Sequence, residues 1–384
     1  MISCGEPSGD LYAGALTTEL LRLDPAIVVT GFGSDRLRAA GASLIGDFSG
    51  LSVTGLLEVA RLLPRTYAAY RRLVADAVAT RPDVLVAIDF PDFNFTFAKA
   101  IRKLGVPVVY YVSPQLWAWR RGRMRTMRRI ADRVLVIFPF EVPIYEAAGV
   151  PVQWVGHPLL DVAETPQPRS ARFAALGLAE EQPVVALLPG SRGNEVRGIL
   201  PDLVRAATLI RAGLPGVQFV VARAPHLADS AFAPLTALSR EEPGGRVTVV
   251  EGRSDDVLAS ADVALVASGT ATVQAALHEC PMVVVYRLSP LTYRLGKPFI
   301  HVQTYAMVNL IAGRRVVPEL IQEAFTPEAV AAEALRVLSD PMHAAGVRRE
   351  LTRVKSLLGE PGASRRAAQA VLEVARAGRG SPLG

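Results

Sequence analysis

The chain has 384 residues, half of them hydrophobic and a fifth charged, a globular composition too long for one ordinary core, so two domains are expected. Its only cysteines, Cys4 and Cys280, exclude a disulfide framework and a Cys-rich metal cluster, and no apolar run reaches the ~18 residues that span a bilayer. A net charge of +6 directs attention to anionic partners: a phosphorylated substrate, anionic lipid or nucleic acid.

The start is polar and Gly-rich within five residues and does not read as a signal peptide. Met1-Ile2-Ser3-Cys4 leaves at most four residues for a first strand, against the usual five or six or so, so a clipped strand or a late start codon is expected. Gly5-Glu6-Pro7-Ser8-Gly9-Asp10 follows as a Gly-flanked strand-to-helix turn. Either Ser8 caps an ordinary helix, or Glu6 points into a ligand cleft. A helix over 10–23 and a strand over 26–30 come next. Gly31-Phe32-Gly33 lacks the third glycine of a dinucleotide fingerprint, Arg36 standing in its place.

A helix over 56–80 leads to a very apolar strand over 83–89 that ends in Asp89. A carboxylate at the end of a buried strand is either a general base, made more basic by desolvation, or a cap of the helix read at 94–104. For Asp92 the cap is the reading preferred. The strand at 106–112 runs into Leu116, Trp117 and Trp119, followed by Arg120, Arg121, Arg123, Arg125, Arg128 and Arg129 with no acid among them. Aromatics beside a basic cluster suit an anionic membrane surface, or nucleic acid by stacking; the plain alternative is a solvated basic helix with the Trp rings in the core. A further strand is read at 133–137.

The Pro-rich stretch 158–170 reads as a linker between domain 1–157 and domain 171–340, and His157 beside it as structural. The second series has strands at 183–188, 217–222, 246–250, 262–266 and 282–286, with helices at 195–212 and 269–279. Pro189-Gly190-Ser191-Arg192-Gly193-Asn194-Glu195 is its most informative stretch. Unpaired N–H groups and the dipole at a helix start favour an anion, the glycines allow close approach, and Arg192 brings a fork of donors that matches phosphate. Ser268-Gly269-Thr270, with Gln274 one turn on, is either a second cradle of this kind or a simple Ser/Thr cap. From Pro327 the chain reads as helical, with helices over 341–377 able to pack back on the first domain and a disordered tail at 378–384. No P-loop or H-E-x-x-H occurs, so neither a P-loop NTPase nor a catalytic zinc is indicated. Alternating strands and helices imply an α/β protein of two Rossmann-like, doubly wound domains facing a cleft.

The motifs Gly5–Asp10, Ile88–Asn94, Tyr111–Arg120, Val155–Pro158, Leu187–Glu195, Ala267–Thr272 and Asn309–Arg314, taken in this order, resemble the lipid A disaccharide synthases, glycosyltransferases of the GT-B type. The resemblance covers roughly residues 3–375. It implies transfer from UDP-2,3-diacylglucosamine to 2,3-diacylglucosamine 1-phosphate, giving a β-1,6-linked disaccharide 1-phosphate and UDP with inversion. It also implies no metal or other cofactor, and a peripheral place at the cytoplasmic face of the inner membrane, with no nucleic-acid partner.

Carried onto this chain, Asp89 is expected as base, Arg192 as stabiliser of the leaving UDP and Glu6 as a cleft residue. Gly5, Ser8, Gly9, Gly190, Ser191, Glu195, Ser268, Gly269, Thr270, Gln274 and Asn309 are expected to bind substrate, and Leu116, Trp117, Trp119, Arg120, Arg121 and Arg123 to meet membrane or acyl chains. The family usually has Glu where this chain has Gln274, which removes a charge from one hydrogen bond. That departure and the short start are what support a non-catalytic nucleotide-sugar- or lipid-binding relative. A UDP-sugar 2-epimerase shares the scaffold but needs no Trp/Arg segment. Oligomeric state stays open between monomer and homodimer.

Overall fold

Strands buried on both faces of a parallel sheet read as unbroken apolar runs, and such runs form the centre of each sheet here. The computed structural model describes residues 1–48, 56–116, 121–163, 167–225, 227–240, 247–288 and 304–380. The first sheet contains β1 (Ile2–Ser3), β2 (Thr30–Gly33), β3 (Ser43–Asp47), β4 (Leu85–Ile88), β5 (Val108–Tyr111), β6 (Arg133–Val136) and β7 (Val152–Trp154) in the order β3-β2-β1-β4-β5-β6-β7. The second contains β8 (Val184–Leu188), β9 (Gln218–Arg223), β10 (Val247–Glu251), β11 (Val263–Ala267), β12 (Met282–Tyr286) and β13 (Glu319–Ile321) in the order β10-β9-β8-β11-β12-β13. Every strand pairing described is parallel. These are two Rossmann-like sheets, each flanked by helices.

Each order contains one switch point. From β1 and β4, which pair, the chain builds outward in opposite directions; from β8 and β11 it does the same. Ligands of open α/β sheets bind outside the carboxyl ends of the strands at such points.

β1 is only two residues long, yet it pairs on both sides. Gly31 makes this close approach feasible, since a Cβ there would stand 1.9 Å from the Ile2 carbonyl oxygen. The Gly31-Phe32-Gly33 segment is therefore strand β2 and not a ligand loop. The strand expected at 26–30 lies later because Asp24 Oδ1 accepts from Ala26 N at 3.0 Å, an Asx turn that keeps the preceding residues out of the sheet. β3, β7 and β13 were not foreseen; each is an end strand of its sheet or only three residues long, and β3 is largely half-exposed, so none carries a clear apolar run.

The described residues divide into two compact units, one holding Met1–Val162 and the described chain from Leu358, the other the described residues between Ala163 and Leu357. The boundary falls inside the Pro-rich stretch, although a helical turn, Leu159–Val162, and the start of helix Arg169–Leu176 occupy part of it. Helix Pro341–Leu357 stays with the second unit, and helix Ala363–Gly380 lies against helix Pro7–Leu23 in the first. Asp161 holds this return by accepting from Gly362 N and, at 2.7 Å, from Ser364 N, while Arg366 Nε donates to Val155 O. The helix continues three residues into the tail expected to be disordered, with Gly378 packed against Pro107; residues 381–384 lie outside the described part.

His157 is buried between Tyr12 and Phe138, and its Nδ1 accepts from Leu159 N at 3.2 Å. Burial lowers its pKa to about 3, from 6.5 in the open chain. Between those values the unfolded chain binds a proton that the folded chain refuses, so stability falls as pH drops below 6.5, by about 1.4 kcal/mol per unit. Urea unfolding at pH 6.5 and 5 is expected to show about 2 kcal/mol less acid destabilisation in His157→Gln than in the wild type; equal slopes would show that His157 is not buried neutral.

Candidate active site

In the first unit, the two loops that leave the switch point are the Gly5–Asp10 and Asp89–Asn94 motifs. They touch: a Cβ on Gly5 would stand 2.3 Å from the Phe90 ring. The helix begins at Pro7 with extended Glu6 in the cap position, so Ser8 lies within the first turn and does not cap it. Pro at the first helical position needs no N–H and carries a suitable φ. Gly9 is buried against Cys4, where a Cβ would approach the Cys4 Cβ to 3.3 Å. At this position, expected to bind substrate, it packs the helix against the strand. Asp10 is also turned inward. Its carboxylate accepts from Ser34 N (2.7 Å), Arg36 N (2.9 Å) and Leu37 N, capping helix Asp35–Ala39 from a distance in sequence.

Asp89 is half-buried at the end of β4. It and Phe90 adopt left-handed backbone, φ 43° and 47°, with no glycine at either position. Asn94, wholly buried, donates from Nδ2 to Asp89 O (2.9 Å), Ile88 O (3.2 Å) and Ser3 O (3.2 Å), and accepts from Ser3 Oγ at 2.7 Å. Tyr110 donates its hydroxyl to the same Asp89 carbonyl at 2.8 Å. Asp92 is not a cap: helix Pro91–Arg102 has no side-chain cap, and Asp92 pairs with Arg123 at 2.6 Å.

Arg123 also lies over the Phe95 ring, 5.6 Å from its centroid. Its charge is thus engaged within the unit rather than presented whole to a surface. Leu116 is buried and not at a surface. Trp117, Trp119 and Arg120 lie outside the described residues, and Arg121 opens the helical turn Arg121–Arg123. On the following helix, Met124–Ile130, Met127 and Ile130 are buried while Arg125, Arg128 and Arg129 are exposed.

In the second unit the loops at the switch point are 189–192 after β8 and 268–269 after β11, with Leu188 paired to Val266. Helix Gly193–Gly213 starts here with Arg192 as cap. Glu195 at the third helical position folds back into the loop. Its Oε2 accepts from Ser191 N and Arg192 N at 3.3 Å, and its Oε1 pairs with Arg192 at 2.8 Å. This back-folded carboxylate satisfies donors that the loop and helix start otherwise leave open. Glu195, expected to bind substrate, therefore acts on the cradle itself, holding two of its N–H groups and its Arg. Gly190 leaves room for it, having φ +117°. The helix start borders an open depression of about 280 Å³ lined by Gly193, Arg197, Pro201, Leu227 and Ser230.

Gly269 caps helix Thr270–Leu277, and Ser268 Oγ donates to Tyr305 O at 3.4 Å. Gln274 Nε2 donates to Ser254 Oγ at 3.3 Å, so the amide bridges to helix Ser254–Ser260. Asn309, expected to bind substrate, is held by its own segment. It is fully buried, its Nδ2 donating to Val317 O and Glu319 Oε1 and its Oδ1 accepting from Val316 N and Val317 N. With two donors and two lone pairs all used, its side chain clamps its own segment. Glu319, unforeseen, completes the clamp by accepting from Tyr305 N and Ala306 N, ahead of helix Met307–Ala312. Tyr305 O is the acceptor of Ser268, so this clamp also steadies the loop at the switch point.

A family model described as lipid-A-disaccharide synthetase matches residues 1–374. The lipid-A-disaccharide synthase of Geobacter metallireducens is 45% identical over 374 residues, covering 97% of this chain and 96% of its own. That of Myxococcus xanthus is 43% identical over 380 residues, covering 99% and 98%. Among solved structures, UDP-GlcNAc 2-epimerase from Neisseria meningitidis bound to UDP-GlcNAc is similar with a TM-score of 0.67 at 14% identity, covering 97% of this chain and 98% of its own. Anabaena Alr3699/HepE in complex with UDP and glucose is similar with a TM-score of 0.58 at 17% identity, covering 97% and 99%. At such identity these structures share the scaffold, and a scaffold hosts many chemistries.

Proposed function

The chain belongs to the lipid-A-disaccharide synthase family, and on that premise we propose how its two switch points divide the work. The enzyme is an inverting glycosyltransferase that joins UDP-2,3-diacylglucosamine to 2,3-diacylglucosamine 1-phosphate, with the β-1,6-linked disaccharide 1-phosphate and UDP as products. We assign the acceptor to the first unit and the UDP-sugar to the second. The observation that carries this assignment is the place of the motifs. Asp89 and the Gly5–Asp10 turn leave one switch point, and the Gly190 and Ser268 loops leave the other.

In this reading Asp89 takes the proton of the acceptor hydroxyl as its oxygen bonds to the anomeric carbon, and the bond from that carbon to the diphosphate breaks. The charge that grows on the leaving UDP is met by Arg192 and by the helix starts at Gly193 and Thr270. Glu195 keeps Arg192 and the loop ordered, and the Asn309–Glu319 clamp does the same for the segment behind Ser268. Glu6, in the cap position beside Asp89's loop, is proposed to contact the acceptor.

No helix among the described residues is long and apolar enough to cross a membrane. We propose that the enzyme works peripherally at the cytoplasmic face of the inner membrane, held by Arg125, Arg128 and Arg129 together with Trp117 and Trp119. Its acylated substrates and the exposed basic face of helix Met124–Ile130 support this. Hydrogen exchange tests both assignments at once in the full chain. UDP is expected to protect amides in 190–195 and 268–274, and vesicles with anionic lipid to protect 121–130. Protection confined to other segments would overturn the corresponding assignment.

A further inference from the structure

The turn that carries Asp89 is held in an unfavourable backbone conformation by two side chains that meet on one atom. Asp89 and Phe90 are successive non-glycine residues with positive φ, 43° and 47°. Such a conformation persists only where the surroundings over-determine it, and it collects at functional sites. Here the surroundings are specific. The Asp89 carbonyl accepts from Asn94 Nδ2 at 2.9 Å and from Tyr110 Oη at 2.8 Å, filling both of its lone pairs, and Asp89 N donates to Tyr111 O. Asn94 is itself fixed from the other strand of the switch point by Ser3, through its side chain and its carbonyl.

We propose that Asn94 and Tyr110 are positioning residues for the transfer: by holding the Asp89 carbonyl they maintain the left-handed turn and so fix where the Asp89 carboxylate stands. This rests on the reading of Asp89 as base. Both groups have the chemistry the task needs. Asn94 must donate, because three carbonyl oxygens, those of Ser3, Ile88 and Asp89, face its nitrogen. Tyr110 is a permanent donor, since its burial first and the Asp89 charge second push its hydroxyl well above the ordinary tyrosine range. For packing alone a phenylalanine would serve at 110, where the ring lies 5.7 Å from that of Phe95 on an entirely buried strand. The hydroxyl is used on the turn.

Steady-state kinetics on Tyr110→Phe, Asn94→Ala, Asn94→Asp and Asp89→Asn test this, with kcat expressed per UDP-binding site so that misfolded molecules do not count. Phe97→Leu is the control, because Phe97 is buried on the same helix as Asn94 and touches Tyr70 and Phe93 instead of Asp89. Tyr110→Phe is expected to lower kcat about 10-fold with both KM values unchanged, because a base displaced by a fraction of an ångström fails in the transition state and not in binding. Asn94→Ala should lose more. Asn94→Asp should be worst, since a carboxylate cannot donate to the carbonyls. Phe97→Leu should melt earlier and keep its kcat. In the Asp89→Asn background, Tyr110→Phe should cost nothing further.

Wild-type kcat in Tyr110→Phe and Asn94→Ala, beside an inactive Asp89→Asn, would overturn the inference alone. A kcat loss that merely follows melting temperature through Phe97→Leu as well would overturn it too. Full activity in Asp89→Asn would overturn the assignment of the base and this inference with it.

Discussion

Asp89→Asn is expected to lower kcat for disaccharide formation by about 10²–10⁴-fold while UDP binds as tightly as to the wild type. The substitution keeps size and shape while removing the charge and with it the ability to take a proton. The acceptor's hydroxyl is a poor nucleophile until its proton leaves, so the loss belongs to the transition state and to kcat. Folding should be unaffected, because the contacts that hold the turn are made by the Asp89 backbone, whose carbonyl and N–H are unchanged by the substitution. UDP binding should be unaffected because the cradles assigned to it belong to the other unit. Titration calorimetry with UDP, beside a product assay, separates the two effects. Full activity in Asp89→Asn would remove it as base, and loss of UDP binding would place it in a different role.

Gly190→Ala should raise the donor KM and the Kd for UDP by about 100-fold or more, with activity recoverable only at high donor concentration. Two costs add. A side chain at φ +117° is strained by about 1–3 kcal/mol. The new Cβ would also stand 2.7 Å from Glu195 Oε2 and 2.8 Å from Glu195 Cβ. Glu195 cannot yield cheaply, because its carboxylate holds Ser191 N, Arg192 N and the Arg192 guanidinium together. Moving it lets Arg192 and the loop shift, and Arg192 with the helix start at Gly193 is the part of the cradle assigned to the diphosphate. A total of about 3 kcal/mol corresponds to somewhat more than a hundredfold in affinity. Isothermal titration with UDP gives the answer; an unchanged Kd would show that the loop is not the diphosphate site.

The apolar strands were legible because parallel strands covered on both faces cannot alternate with polar residues; 83–89, 183–188 and 282–286 lie within two residues of β4, β8 and β12. The turns after them were legible from glycines and helix-start residues. Strands β3, β7 and β13 were not, since short or end strands with half-exposed faces lack that signature. The uses of individual polar residues were harder still. Asp10, Asn94, Asn309 and Glu195 all stand in motifs that suggest ligand contact, and all four side chains are committed to the protein's own backbone or side chains.

By itself the sequence determined the α/β class, the two series of strands and helices, and the chemistry available at their loops, because periodicity, turn residues and helix starts are local properties. Seven motifs in order also determined the family. Only the tertiary structure decided which loops become neighbours. Ser3 and Asn94 are 91 residues apart and bond across the β1–β4 switch point, and Tyr110 reaches Asp89 from the next strand. Strand order is set by which edges pair in the folded sheet, and no local pattern records it. For the same reason the left-handed turn at Asp89, and the two donors that hold it, could be read only once β1, β4 and β5 lay side by side.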